Sequence, residues 1–111
     1  MSEWPDYDRV KRSLSRSWLR ARVLVYLYDR RKCYCRVGEI SRSLGARRSS
    51  VQGVLKGDGA IYPVEDSLVS LGLVRYEEVS YRRVKEYYWL TPQGENVARL
   101  LRKNRNNAYW R

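Results

Sequence analysis

Val37-Gly38-Glu39-Ile40-Ser41-Arg42-Ser43-Leu44-Gly45, running on into Ala46-Arg47-Arg48-Ser49-Ser50-Val51-Gln52-Gly53-Val54-Leu55-Lys56, is the stretch that decides the fold. Ile40 and Leu44 stand one helical turn apart, so the spacing predicts a short helix over Val37–Leu44 with a single buried face. Gly45 stands where a left-handed C-terminal cap belongs. A second short helix is predicted over Arg47–Lys56, burying Val51 and Leu55.

Two short helices joined by a tight glycine-containing turn form the helix-turn-helix pattern. Upstream, Asp6–Ser17 reads as a helical arm, with Asp6 as its cap and Val10, Leu14 and Trp18 recurring every fourth residue. A further helix is predicted over Ser17–Asp29, turning Leu19, Val23, Leu24 and Leu27 toward a core and Arg20 and Arg22 away from it. Cys33–Arg36 is β-leaning and long enough only for a minor strand beside a later hairpin.

Downstream, Lys56-Gly57-Asp58-Gly59-Ala60 is loop chemistry. Tyr62–Leu71 returns to helical spacing through Val64, Leu68 and Leu71, with Pro63 in the first turn and Gly72 past the end, so a separate helix is expected there. Leu73–Val79 and Val84–Leu90 are rich in Val and Tyr and flank Ser80-Tyr81-Arg82-Arg83, which predicts a hairpin with a basic tip. Thr91-Pro92 supplies a capping hydroxyl and a proline for the first turn of a last helix carrying Val97, Ala98, Leu100 and Leu101. The expected architecture is mainly α with a small β-hairpin. It divides into a helical arm at 1–16, a domain at 17–103, and a polar tail at 104–111 interrupted by Tyr109 and Trp110.

Composition limits the partners. The chain has 111 residues, enough for one core, and its apolar content of 43% is too high for a disordered segment. No run approaches the roughly twenty apolar residues of a membrane helix, and Glu3, Asp6, Asp8 and Arg9 stand where a signal peptide would be apolar, which predicts a soluble, cytoplasmic protein. The net charge is +11. All of it arises within residues 9–48, where thirteen Lys and Arg face only Asp29 and Glu39. A positive field concentrated in this way predicts a polyanionic partner, with a generic basic surface as the alternative. Histidine is absent and the cysteines are two, which disfavours a zinc site and predicts no cofactor. No Ser/His/Asp, paired-carboxylate or phosphate-loop constellation is present, so no enzymatic activity is expected.

Three phrases, in this order, carry a resemblance: Val37-Gly38-Glu39-Ile40-Ser41-Arg42-Ser43-Leu44-Gly45, then Leu71-Gly72-Leu73-Val74-Arg75, then Tyr88-Trp89-Leu90-Thr91-Pro92-Gln93-Gly94. Over about residues 17–103 the chain resembles the winged helix-turn-helix transcriptional regulators of bacteria and archaea, and its Arg-rich, His-free composition suits small archaeal members. The resemblance implies a winged helix-turn-helix with N- and C-terminal helical extensions, binding double-stranded DNA. One departure is visible: Gly57-Asp58-Gly59 interrupts a recognition helix that in most members continues unbroken to the Gly-Leu-Val phrase.

On that frame Arg48, Ser49, Ser50 and Gln52 face outward from the second helix. Arg matches guanine and Gln matches adenine by two-point hydrogen bonding in the major groove, while Ser contacts bases or phosphates less selectively. Arg42 and Arg47 are expected at phosphates near helix ends, Lys56 among the DNA-binding residues, and Arg82, Arg83 and Lys85 at phosphates or a minor groove from the wing. A solvated surface is the alternative for any one of them. Lys11, Arg12, Arg16 and Arg20 are candidates for flanking backbone or for a subunit interface. A homodimer is expected through Val10, Leu14, Trp18, Leu100, Leu101 and Trp110, because helix-turn-helix dimers match palindromic half-sites. Cys33 and Cys35 share a strand face in this reading and are expected to be an inert, partly buried pair rather than a redox sensor. The expected function is sequence-specific regulation of transcription by promoter occupancy on the nucleoid. The rivals are a non-specific architectural nucleic-acid binder and a winged-helix protein-interaction module.

Overall fold

The computed structural model describes residues 7–103. Its elements run α1 (Tyr7–Arg16), α2 (Trp18–Asp29), α3 (Val37–Leu44), α4 (Arg48–Lys56), β1 (Val74–Ser80), β2 (Val84–Leu90) and α5 (Pro92–Lys103). The fold is mainly helical and winged-helix-like: a helix-turn-helix made by α3 and α4, an antiparallel hairpin pairing Val74 with Leu90 and Ser80 with Val84, and helices before and after. Asp6, the expected cap of α1, and the 104–111 tail lie outside the described residues. Among the described residues no helix is long and apolar enough to cross a membrane.

Helix α2 is the hub, packed on by α1, α3, α4, α5 and β2. Leu19, Ala21, Val23, Leu24, Val25 and Leu27 are all buried, so the helix is apolar nearly all round, as a helix surrounded by others must be. Arg20, expected to face solvent, is instead 3% exposed. Arg22 stays near the surface with its guanidinium 5.1 Å from the Trp18 ring centroid. Val10 and Leu14 of α1 and Leu101 of α5, expected at a dimer interface, are instead buried in this core. The chain is extended at Ser17 (φ −152°, ψ 109°), which separates α1 from α2 and lets the apolar stripe of α1 lie against the same core.

The expected helix over Tyr62–Leu71 does not form; only a 3-10 turn, Val64–Asp66, is present. The physical reason is a competition for backbone donors. Asp58 accepts hydrogen bonds from the Ala60 and Tyr62 amides at 2.8 and 2.9 Å, closing the loop locally. The Leu68 and Val69 amides then donate to the Val54 and Leu55 carbonyls at 3.1 and 3.0 Å. The segment thus satisfies orphan carbonyls at the end of α4 instead of its own.

A clamp joins the hairpin to α5. The Thr91 hydroxyl donates to the Gly72 carbonyl at 2.6 Å and accepts from the Gly94 amide at 3.0 Å, while the Thr91 amide donates to the Leu73 carbonyl at 3.0 Å. Gly94 presses against that Leu73 carbonyl so closely that a Cβ would collide with it. The Leu-Gly-Leu and Leu-Thr-Pro-Gln-Gly phrases are therefore two halves of one contact. At the other edge, Cys35 bridges Tyr88 through reciprocal backbone hydrogen bonds of 3.0 and 2.8 Å, which realises the minor strand. Cys35 is 1% exposed, and burial, followed by the nearby Glu39 carboxylate, pushes its thiol up to about 11. Cys33 is exposed in the preceding turn, so the two cysteines do not share an environment.

Two outcomes follow from this packing. Gly94→Ala forces α5 off the Leu73 carbonyl and should cost about 1–3 kcal/mol, as overpacking does, lowering the thermal midpoint by at least about 4 °C; an unchanged melt would contradict the clamp. A colorimetric thiol reagent at about pH 8 should titrate Cys33 promptly and Cys35 only after unfolding, since the thiolate is the reactive form; equal rates would contradict the burial.

Candidate nucleic-acid interface

The turn between α3 and α4 is built to hold a fixed angle. Gly45 takes the left-handed conformation (φ 65°, ψ 30°) that a side chain would disfavour, and the Ala46 amide donates back to the Ser41 carbonyl at 3.1 Å. The Ser41 hydroxyl donates to the Ala46 carbonyl at 2.5 Å, satisfying the opposite side of the turn. Ile40 from α3 and Val51, Val54 and Leu55 from α4 are fully buried, so both helices are anchored by apolar faces and present polar ones.

Between those polar faces and β2 lies a groove of about 640 Å³. It brings together Arg42 of α3, Arg48 and Gln52 of α4 and Lys85 of β2, four of the residues expected at DNA. Arg36, which sits at the cap position of α3, completes the cationic lining and was missed from sequence. Its signal was available: a basic residue immediately before the positioning helix falls on the same edge as the start of α4. Arg48 crosses Gly38, where a Cβ would press on its guanidinium, so that glycine gives the arginine its path along the groove.

Two carboxylates also line the groove, and both are occupied by the protein. Glu39 accepts the Arg36 backbone amide at 3.3 Å, closing the first turn of α3. Glu86 accepts the Tyr88 hydroxyl and the Lys56 ammonium, the latter at 3.2 Å, and the hydroxyl's hydrogen bond leads in holding the Glu86 carboxyl below its ordinary range. Tyr88 is fully buried, and burial together with Glu86 pushes its hydroxyl pKa up. Among the described residues the ion pairs are Arg16–Asp66, Lys56–Glu86 and Arg102–Asp29, so none draws on Arg36, Arg42, Arg48 or Lys85.

Lys56 departs from its expected role. Its ammonium is paired with Glu86 and lies 4.5 Å from the Tyr76 ring centroid, which ties the end of α4 to the hairpin rather than offering it to phosphate. Arg47 is exposed at the cap position of α4, Ser49 is exposed in its first turn, and Ser50 is half-buried. The unpaired amides of that first turn add a favourable field for an anion. Arg82 and Arg83 are exposed at the hairpin tip, outside the groove lining, with Arg82 5.8 Å from the Tyr81 ring centroid. Lys11 and Arg12 are exposed on α1, whereas Arg16 is paired with Asp66 at 2.5 Å. Of the expected dimer residues outside the core, Trp18 is 51% and Leu100 50% exposed; Trp110 lies outside the described residues.

Comparison with known proteins places this geometry in a lineage. The uncharacterized protein MJ0905 of the archaeon Methanocaldococcus jannaschii is 36% identical over 93 residues, which span 84% of this chain and 81% of that protein. No solved structure matches the chain at a significant level. The family model described as EarA-like matches residues 10–101, nearly the whole described fold, and the chain therefore belongs to the EarA-like family.

Proposed function

We propose that this protein is a sequence-specific double-stranded DNA-binding regulator of transcription, acting by occupancy of promoter DNA on the cytoplasmic nucleoid and without catalysis. The observation that carries the reading is the groove: Arg36, Arg42, Arg48 and Lys85 converge with Gln52 where the polar faces of α3 and α4 meet the wing. Four cations lining one groove suit a polyanion such as the phosphate backbone, and an Arg and a Gln one turn apart on α4 are the side chains suited to reading guanine and adenine edges. The concentration of net charge within residues 9–48 supports the same partner.

Division of labour is the test. Arg48→Ala or Gln52→Ala should cost about 1–3 kcal/mol on a site selected from random duplexes and should relax base preference at one position. Arg82→Ala or Arg83→Ala should weaken all duplexes alike and lower the log–log salt slope by about one. If wing-tip replacements change base preference while those on α4 leave it intact, the roles are reversed. Equal affinity for random and selected duplexes would favour the architectural reading, and no binding at low salt the protein-interaction reading.

A homodimer belongs to the proposal, because paired half-sites are the usual target of helix-turn-helix proteins. With Val10, Leu14 and Leu101 inside the core, Trp18 on the outer surface of α2 is the apolar anchor that supports it. Light scattering should give twice the chain mass at high concentration, with Trp18→Ala reducing it toward the monomer. A monomeric mass both with and without DNA would exclude pairing.

A further inference from the structure

A second concavity, of about 330 Å³, lies between the α1–α2 junction and the segment that follows α4. Arg16, Ser17 and Arg20 line it from one side, and Ile61, Tyr62 and Asp66 from the other. Arg20 is the unusual member. A guanidinium has five N–H donors and is expensive to bury unless they are used. Here one nitrogen, Nη1, donates to the Ser13 carbonyl at 2.8 Å and the guanidinium carbon lies 5.8 Å from the Tyr62 ring centroid. The Nε–H is buried without a partner, the only side-chain nitrogen or oxygen among the described residues in that condition.

The neighbouring carboxylate does not resolve this. Asp66 spends its side chain on Arg16 at 2.5 Å, so two cations face one anion and the concavity keeps a net positive charge. Desolvation lowers the Arg20 pKa, with Asp66 acting in the opposite direction, as expected of a cation short of counter-charge. A purely structural arginine in this position would be expected to fork onto Asp66 with its Nε edge. Beside the charged end stands an apolar wall: Ile61 is 82% exposed, and Tyr62 and Pro63 are half-buried.

We propose that this concavity binds a small organic anion, its carboxylate or phosphate head held between Arg16 and Arg20 and its apolar body against Ile61, Tyr62 and Pro63. The occupant would report to α4 through Tyr62. That ring lies against Gly53 so closely that a Cβ on the helix would strike it, and movement of Tyr62 therefore displaces or releases α4. The consequence for gene regulation rests on the DNA-binding reading; the binding site itself does not.

The test uses the full chain, labelled with nitrogen-15, without DNA. Sodium benzoate, inorganic phosphate and sodium chloride are titrated at matched ionic strength while the Arg20 Nε–H and Gly53 amide resonances are followed. Benzoate should shift both saturably, chloride should shift neither, and Arg16→Ala, at a largely exposed side chain, should weaken binding about fivefold without unfolding the protein. Tighter binding of phosphate than of benzoate would assign the head to the phosphate class within the same site. The absence of a saturable shift with either anion, or an affinity unaltered by Arg16→Ala, would overturn the proposal. Because no duplex is present, failure here is separable from failure of the groove to bind DNA.

Discussion

Burial of α2 around most of its circumference is the constraint from which the rest of the structure follows. A helix carrying Leu19, Val23, Leu24, Val25 and Leu27 around most of its circumference has no stable place at a surface, and each of these side chains contributes about 1.5–3 kcal/mol when enclosed. In a chain of this length the enclosure requires nearly every other element. Helices α1, α3, α4 and α5 and strand β2 all pack on it. The same demand explains why Val10, Leu14 and Leu101 belong to one subunit's core, since the terminal helices are walls of the domain rather than appendages to it.

Positioning of the groove is a secondary effect of that enclosure. Ile40 and Val51 pin α3 and α4 to the core, and the Gly45 turn fixes their mutual angle, so the first turn of α4 and its polar face cannot rotate independently. The wing is tied in by a chain of contacts running from Lys56 to Glu86 to Tyr88, beneath which the Cys35 bridge holds the base of β2. Of the groove's two carboxylates Glu86 is consumed in these ties and Glu39 caps α3, while Arg36, Arg42, Arg48 and Lys85 are left exposed. Fixed structural pairs and uncommitted cations thus sit side by side, which is the electrostatic form expected of a surface that meets a polyanion.

Much of this was legible in the chain because the relevant signals are local. Gly45 after Leu44 marks a cap, Thr91-Pro92 marks a helix start, and the Val- and Tyr-rich runs around Arg82 and Arg83 mark a hairpin. What failed to show depended on partners distant in sequence. The apolar spacing of Val64, Leu68 and Leu71 looks helical, yet within this stretch the Tyr62 amide is claimed by Asp58 and the Leu68 and Val69 amides by carbonyls at the end of α4, and no window of sequence reports that claim. Arg20 looks like a solvent-facing charge because its burial is imposed by α1 and the Tyr62 segment closing over it. Lys56 and Arg36 exchanged roles for a similar reason: a carboxylate on β2 captures the first, and the α3–α4 angle brings the second into the groove.

Amide chemical-shift mapping of the full chain against a short duplex, at moderate salt, tests the central claim most directly, because it asks which surface meets DNA without altering any residue. The expected result is that the largest changes fall on Arg36, Arg42, Arg47–Gln52 and Lys85, the lining of the groove and the first turn of α4. Changes confined to α1 and α5, with α4 and β2 silent, would contradict it.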